Sequence, residues 1–353
     1  MLIWFVTTNY LSPMFRFAVS LLLSGAALAQ QPATDAVPEE TPLDEVVVTG
    51  EFPGPGMWQV THPRHEGHVL WIVGDPWPLP KRMKWKSKRI EGVALEAQEI
   101  LRDSSVSMTT DEKIGVFRGI TLIPAMLEAR RNPDDARLED LLPPDLYARW
   151  LVQKKRYLGR ESGVERWRPL FAADRLRKAT FDELGMRERG AVWEVLDDLV
   201  KEHKLKVNSP VIKFTFKRSE VRSKIKEFSR ESLEDVECFS TTLALSEALS
   251  DQEVEAARAM AWAAGDIPAL SALPVLPNPY LPCAMAVMKA QVASSVIPPD
   301  LPQRSQDLWL DTVEKSLASN YVTLAVVSFP KLTRADGYLD ALRARGFGIQ
   351  APQ

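Results

Sequence analysis

Histidine and cysteine are scarce in this sequence: its 353 residues include four histidines and two cysteines. No Gly-x-Ser-x-Gly, P-loop or Gly-x-Gly-x-x-Gly motif occurs, so the usual signatures of α/β-hydrolases, P-loop nucleotide-binding proteins and dinucleotide-binding proteins are missing. A cysteine nucleophile would require Cys238 to be unpaired and close to His203 or another base, and we do not expect one.

An excess of charge of one sign is also missing. The 44 basic and 47 acidic residues give a formal net charge of -3, which provides no global attraction for nucleic acid or for an anionic membrane. Any such binding has to be local. Spanning a bilayer takes about 20 apolar residues, and no stretch after the first 29 residues qualifies, so we expect no transmembrane segment in the mature chain.

Residues 1–29 have the parts of a removable signal peptide. Arg16 provides the positive charge, Phe17 to Leu23 form the apolar core, and Ala27-Leu28-Ala29 is a small-residue cleavage site. The alternative is a membrane anchor, but the apolar run is shorter than the roughly 20 residues that an anchor needs. We therefore expect a periplasmic or secreted protein that is cleaved near Ala29-Gln30.

Residues 30–53 are rich in Pro, Ala, Thr and acidic residues, a composition that predicts a flexible linker. Within the linker, Leu43 to Gly50 is similar to the TonB-box segments that bind a partner by adding a strand to a sheet edge. The alternative is that this run is the first strand of the domain. Whether translation starts at Met1 or Met14 stays open.

The two cysteines, Cys238 and Cys283, belong to a chain that is expected in an oxidising compartment, where thiols tend to pair. We predict one disulfide between them. The alternative is a pair of buried free thiols.

The folded domain, residues 54–353, begins with a β-hairpin signal, because Met57 to Val60 and His68 to Val73 are strand-like and flank a polar stretch. A helix capped by Ser87 follows. Its apolar residues recur at helical spacing as far as Leu101, so the pattern predicts a helix up to that point.

From Asp111 to about Ala293 the patterns are mainly helical, interrupted by one alternating strand at Val211 to Phe216. The end of the chain predicts a strand at Tyr321 to Val327, then a helix and a last short strand near Phe347. Strands at both ends with helices between them indicate one α+β domain, with a mixed β-sheet formed by the N- and C-terminal segments and a large helical middle.

Several motifs occur in the order seen in TraB/GumN proteins, and the chain resembles that family from about Gly54 to its end. The motifs are Gly54-Pro55-Gly56-Met57-Trp58, Leu70-Trp71-Ile72-Val73-Gly74, Pro78-Leu79-Pro80, Ala261-Trp262-Ala263-Ala264-Gly265-Asp266, Trp309 in a helix, and Asp336-Gly337-Tyr338-Leu339 with Leu342-Arg343-Ala344-Arg345-Gly346-Phe347. The resemblance implies a TraB/ChaN/EreA-like fold.

The resemblance also implies a divalent-metal site, as in the Tiki-like peptidase relatives. It would use a Gly-x-x-His after the first core strand, an acid after the next strand and a second Gly-x-x-His near the end. Here Gly74-Asp75-Pro76-Trp77 ends on tryptophan, Ser104 to Met108 contains no acid, and Ser328-Phe329-Pro330-Lys331 ends on lysine. The family's chemistry is therefore not expected at these positions.

A relocated metal site is a second possibility. His62, His65 and His68 recur at a spacing of three, and with Asp75 they could bind zinc or manganese. The alternative is that these histidines are solvated residues of the hairpin turn, and that Asp75 has a structural role.

A basic and aromatic stretch is a candidate ligand-binding surface. Basic side chains pair with phosphate or carboxylate, and tryptophan faces stack on sugars, so an anionic envelope glycan is a possible ligand. The residues are Trp77, Lys81, Arg82, Lys84, Trp85 and Lys86. The alternative is a solvated loop that leads into a helix. A second basic stretch, Lys154-Lys155-Arg156 and Arg166-Trp167-Arg168, is interpreted as a helix surface and its C-terminal cap.

These patterns predict an exported pseudoenzyme that acts as a noncatalytic binding or accessory component of the bacterial cell envelope. We expect no cofactor and no nucleic-acid partner; an envelope protein or an anionic glycan is the kind of partner expected. The alternative is a metal-dependent hydrolase or peptidase of the same fold with the relocated ligands.

Overall fold

A computed structural model of the chain describes residues 54–114, 116–294 and 297–352. The predicted signal peptide and linker, with the segment that is similar to a TonB box, lie outside the described residues. No helix within the described ranges is both long enough and apolar enough to cross a membrane.

The described residues contain eight strands in two sheets. They are β1 (Met57–Thr61), β2 (Val69–Asp75), β3 (Glu99–Arg102), β4 (Ser105–Thr110), β5 (Val207–Asn208), β6 (Val211–Phe216), β7 (Val322–Ser328) and β8 (Gly348–Gln350). The main sheet has the order β5-β3-β7-β2-β1-β8, and β4 pairs with β6 in a separate parallel sheet.

Strands from both ends of the chain meet in the main sheet. β2, β7, β3 and β5 are parallel, while β1 runs antiparallel to both β2 and β8. The register places Asp75 opposite Ser328 and Arg102 opposite Val326. The predicted hairpin and the predicted mixed sheet of an α+β domain are therefore confirmed.

Helices dominate the middle of the chain. They are α1 (Lys88–Glu96), α2 (Val116–Ala129), α3 (Leu138–Leu141), α4 (Pro144–Tyr157), α5 (Pro169–Glu183), α6 (Ala191–His203), α7 (Val221–Arg230), α8 (Val236–Ala248), α9 (Gln252–Ala264), α10 (Ile267–Ala272), α11 (Tyr280–Lys289), α12 (Gln291–Ser294), α13 (Leu301–Ser319), α14 (Phe329–Thr333) and α15 (Tyr338–Ala344). Two short 3₁₀ turns, Pro133–Asp135 and Gly163–Arg166, link helices in this region.

Helices cover both faces of the main sheet, as parallel strands require. On one face, α1, α6 and α9 pack on Val73, Ile100 and Val326. On the other face, α13 and α15 pack on Ile72 and Leu101. The central strands are thereby buried on both sides.

The helix predicted to reach Leu101 is shorter than expected. α1 ends at Glu96, and Glu99 to Arg102 form the central strand β3. Ile100 and Leu101 are both fully buried, on opposite faces of the sheet. A short apolar run that is buried on both sides has no alternation, so its spacing did not distinguish a strand from the end of a helix.

The predicted disulfide is present. Cys238 in α8 and Cys283 in α11 are bonded, with a sequence separation of 45 residues. It links two helices of the helical middle, where both cysteines belong to a small apolar cluster with Leu170 and Val287.

Candidate functional site

The carboxyl ends of the parallel strands converge at one edge of the main sheet. Asp75 ends β2, Ser328 ends β7, and Asp103 directly follows β3. Ligands of open parallel sheets bind in the crevice outside the carboxyl ends of the strands. A functional site is therefore expected at this edge, which is called the carboxyl edge below.

Asp75 is buried at the carboxyl edge with 7% of its surface exposed. Its Oδ2 atom accepts a hydrogen bond of 3.2 Å from the backbone N–H of Val192, in the first turn of α6. Its Oδ1 atom has no hydrogen-bond partner among the described residues. Burial raises the pKa of Asp75 to about 7, although the N–H groups of Val192 and Ala191 and the charge of Arg187 oppose this increase.

Gly190, directly before α6, makes this arrangement possible. A β-carbon at this position would come within 3.0 Å of the Asp75 carboxylate, closer than real Cβ atoms approach other groups. Asp75 therefore serves as the acceptor for the N-terminus of α6, a helix end that favours a carboxylate.

Asp103 is paired with a cation. Its Oδ2 atom lies 3.1 Å from Nζ of Lys331, in α14. Its Oδ1 atom accepts a 2.7 Å hydrogen bond from the hydroxyl of Tyr338, whose ring stacks on Trp309. Burial and the charge of Asp103 raise the pKa of Tyr338, so its hydroxyl stays protonated and acts as a donor.

A third set of charges ties α6 to β3. Arg102 donates to Asp197 at 2.7 Å, and Asp197 also pairs with Arg189 at 2.5 Å. The Arg102 guanidinium lies 3.5 Å from the centre of the Trp193 ring, a cation–π contact. Burial opposes ionisation of Asp197, but the bonds to Arg189 and Arg102 outweigh it and lower its pKa. The beginning of α6 is thus fixed against the carboxyl edge.

In the basic and aromatic stretch, the two tryptophans pack against other aromatic rings, whereas the basic side chains reach solvent. Trp77 packs on Phe181, with ring centres 5.2 Å apart, and donates to the carbonyl oxygen of Glu188 at 3.2 Å. Trp85 packs on buried Trp262 at 5.1 Å. The basic members of the stretch stay exposed: Lys81, Arg82, Lys84 and Lys86. Both tryptophans are half-buried, with one ring packed on Phe181 and the other on Trp262.

The four proposed metal ligands do not meet. His62, His65 and His68 lie together in the β1–β2 turn, with neighbouring ring centres 5.8 and 6.1 Å apart. Asp75 lies at the other end of β2, a seven-residue strand that spans about 20 Å at 3.3 Å per residue. His68 directs Nδ1 to the carbonyl oxygen of Leu317, 2.6 Å away. In the described ranges, no three His, Cys, Asp or Glu side chains are arranged to hold a metal ion.

A separate open cleft of about 520 Å³ lies between α7 and the start of α12. Its lining mixes both charge signs: Lys224, Glu227, Arg230, Glu231, Gln291 and Val292. Glu231 accepts the backbone N–H groups of Gln291 and Val292, so it caps α12. The cleft indicates no particular ligand class.

The model of the TraB/PrgY/gumN family matches residues 56–351, which is most of the chain. The chain belongs to the TraB/PrgY/gumN family. Searches of curated proteins and of solved structures gave no match. The resemblance inferred from the ordered motifs is thereby confirmed.

In this TraB/PrgY/gumN-family chain, the two positions where the resemblance implies histidine ligands carry other groups, while the acid expected after the second core strand is present as Asp103. Trp77 and Lys331 stand where histidines are expected, and each already has a partner within the fold. Asp103 follows the second core strand, but it is paired with Lys331 and Tyr338. The residues present do not fit a divalent metal at this edge, because a lysine ammonium is a cation and not a ligand for one.

Sequence reasoning missed Asp103, since the helix predicted up to Leu101 placed the next strand at Ser104 to Met108. The available signal was an acid directly after a short apolar run. Gly190 and Asp197 had no signal in the sequence, because their importance comes from their contacts with Asp75 and Arg102 across the sheet edge.

Proposed function

We propose that this TraB/PrgY/gumN-family protein is exported and acts as a noncatalytic binding or accessory component of the bacterial cell envelope. The signal-peptide pattern of residues 1–29 supports export, with a periplasmic or secreted location after cleavage near Ala29-Gln30. The arrangement of the carboxyl edge supports a noncatalytic role.

One observation carries the noncatalytic part of the proposal: the ammonium group of Lys331 lies 3.1 Å from the carboxylate of Asp103. A carboxylate at this edge is the kind of group that could bind a metal or activate water. Here a cation from the chain itself neutralises it, and Tyr338 donates to its other oxygen. Each oxygen of Asp103 thus already has a partner within the chain, and the positive charge of Lys331 makes the carboxylate a weaker base and a weaker metal ligand.

The surroundings of Asp75, the other carboxylate at the carboxyl edge, also support a noncatalytic role. Asp75 accepts the N–H of Val192, and Gly190 allows α6 to press against it. A general base needs room for a substrate or water within about 3 Å. The N-terminal turn of α6 fills that space on the Oδ2 side, so Asp75 stabilises α6 in this proposal.

Metal content is the first test. The mature protein, from Gln30 onward, is purified without chelator and compared with a His62→Ala/His65→Ala/His68→Ala variant. The proposal expects no tightly bound metal in either. About one zinc or manganese per chain that is lost in the variant would refute the noncatalytic proposal and support the alternative, a metal-dependent hydrolase or peptidase.

A metal that is retained in the histidine variant would point to the carboxyl edge instead. Loss of that metal in an Asp103→Asn variant would locate it there and would equally refute the proposal. Export is tested separately by the mass of the protein recovered from the envelope fraction, which is expected to correspond to a chain that begins at Gln30.

An anionic glycan is one class of partner for the basic and aromatic stretch, because its exposed Lys and Arg side chains can pair with anionic groups without help from the tryptophans. Retention on an anionic polysaccharide should then weaken with salt, because exposed charges are screened. It should also weaken in a Lys84→Glu/Lys86→Glu variant. Unchanged retention in that variant would remove the glycan and leave an envelope protein as the expected partner.

A further inference from the structure

Two helices that follow the strands of the small sheet expose side chains of different character. α2 follows β4, α7 follows β6, and the two helices pack against each other. We use the term α2/α7 surface for five exposed residues of these helices: Ile123, Leu127, Arg222, Lys226 and Arg230.

α2 is apolar on nearly all sides. Only Arg118 and Glu128 are charged among its 14 residues. Such a helix is normally buried. However, Ile123 is 48% exposed and Leu127 is 49% exposed. These residues are four apart and so lie on one side of the helix, where they form an apolar stripe in contact with solvent.

α7, which packs against α2, exposes a basic stripe. Arg222, Lys226 and Arg230 follow one another at a spacing of four, and all three are exposed. None of the three forms an ion pair with any residue that the structure describes, whereas Lys224 of the same helix pairs with Glu227. α7 has four basic residues and one acidic residue, a local net charge of +3 in a chain whose net charge is -3.

We propose that the α2/α7 surface binds the face of an anionic lipid bilayer, with Ile123 and Leu127 entering the interface and the three basic side chains pairing with lipid phosphates. Apolar residues next to Lys and Arg are the combination that interfacial helices use. Each basic residue near an anionic membrane strengthens binding roughly fivefold.

A nucleic acid or an acidic polysaccharide fits this surface less well. Either polyanion would pair with Arg222, Lys226 and Arg230, but it would leave Ile123 and Leu127 in water. A bilayer offers both the anionic headgroups and the apolar layer beneath them. The inference does not depend on the proposed noncatalytic role, because none of the five residues lies at the carboxyl edge.

The test is co-sedimentation of the mature protein with vesicles of phosphatidylcholine alone or mixed with phosphatidylglycerol. The protein is expected to bind the mixed vesicles and to bind pure phosphatidylcholine much less. An Arg222→Glu/Lys226→Glu/Arg230→Glu variant is expected to lose roughly tenfold or more in partitioning. An Ile123→Ser/Leu127→Ser variant is expected to bind severalfold more weakly at every salt concentration.

The matched control lies on α4, which also exposes two apolar and two basic residues: Leu151, Val152, Lys155 and Arg156. The corresponding Ser and Glu substitutions there, which remove two basic charges rather than three, should weaken vesicle binding clearly less than the substitutions on α2 and α7. All variants are first compared by thermal unfolding. A charge-conserving Arg222→Lys/Arg230→Lys variant should bind like the parent protein, and a large loss in it would overturn the proposed pairing.

Three other results would overturn the proposal. The first is no binding of the parent protein to anionic vesicles. The second is an equal loss in the α4 control. The third is the behaviour of a general polyanion surface. It would be seen either as vesicle binding that needs the basic stripe but is not weakened by the Ile123→Ser/Leu127→Ser variant, or as equally tight retention on a nucleic acid or an acidic polysaccharide.

Discussion

Gly190 lies so close to Asp75 that a β-carbon added to it would come within 3.0 Å of the Asp75 carboxylate. This contact lets α6 begin directly at the carboxyl ends of β2 and β7. The position therefore requires glycine because of space, and not because of its backbone angles, which are ordinary at φ -62°.

The Gly190→Ala substitution is expected to lower the free energy of unfolding by at least about 2 kcal/mol, because the added carbon would collide with the buried Asp75 carboxylate and force side chains or backbone to move. Urea denaturation at neutral pH measures the loss. Gly92→Ala is the control, since Gly92 lies in α1 with open space around it. There alanine should raise stability by up to about 1 kcal/mol through helix propensity. Equal effects at the two positions would contradict the argument.

The pKa of Asp75 predicts how stability depends on pH. Burial raises that pKa from 3.8 to about 7 in the folded protein. The folded state therefore holds a proton that the unfolded state releases, so this group's contribution to stability is complete below pH 4 and is lost as pH rises towards 7. The loss from this one carboxyl is about 4 kcal/mol, at 1.36 kcal/mol for each pKa unit.

An Asp75→Asn variant isolates this effect, because asparagine keeps the acceptor for Val192 but does not ionise. Urea unfolding of both proteins at pH 5 and pH 8 gives the comparison. The variant is expected to lose less stability between these pH values than the parent protein does. Asp235, whose pKa burial raises to about 6, contributes the same trend to both proteins and so cancels. Identical pH dependence in the two would show that Asp75 is ionised throughout.

Much of the fold could be predicted from the sequence, because several strands are marked by strand-forming residues, by polar turns between them or by alternating polar and apolar residues. β1 and β2 were found from their residues and the polar turn between them, and β6 from its alternating Val211 to Phe216. β3 was not, because it has only four residues and is buried on both faces, so it has neither polar positions to mark its period nor a long β-branched run like the one that predicted β7. Alternation predicts a strand only where one of its faces reaches solvent.

The candidate site was harder to predict, because it depends on contacts between distant segments. Asp75 and Trp77 were recognised from the family motif, but their partners, Val192 and Phe181, come from helices more than 100 residues later. Nothing in the local sequence of Gly190 indicates that it faces a carboxylate. The three histidines were correctly placed near one turn, whereas Asp75 was assigned to them without regard to the length of β2.

The interpretation of Arg166-Trp167-Arg168 as part of a helix surface is wrong for Arg168. This residue is buried, with 1% of its surface exposed. Its guanidinium donates to four carbonyl oxygens, those of Arg131, Phe228, Ser229 and Glu231, at 2.7 to 3.1 Å. Three of these belong to the C-terminal end of α7. Arg168 therefore satisfies the orphan carbonyls of that helix.

Arg168→Met should lower the free energy of unfolding by about 3 kcal/mol or more, because buried carbonyls lose their donors. Arg168→Lys should recover only part of the loss, since one ammonium cannot reproduce the planar fork. The neighbouring Arg166 is the control: it is half-exposed and pairs with exposed Asp135, so Arg166→Met should cost about 1 kcal/mol or less. Chemical denaturation of the three variants checks the order, and full rescue by lysine would contradict the proposed geometry.

The Cys238–Cys283 disulfide closes a loop with a sequence separation of 45 residues. In the chain-entropy model, removing it should lower the free energy of unfolding by about 4 kcal/mol, because the unfolded chain regains the conformations that the bond excludes. A Cys238→Ala/Cys283→Ala variant tests this in urea, beside the parent protein with and without reductant. Reductant should destabilise only the parent protein, by a similar amount, and leave the variant unchanged. Mass spectrometry under non-reducing conditions first establishes that the purified chain carries the bond. If the oxidised parent protein and the variant unfold at the same urea concentration, α8 and α11 are held together by their packing alone, and the disulfide contributes nothing to the stability of the helical middle.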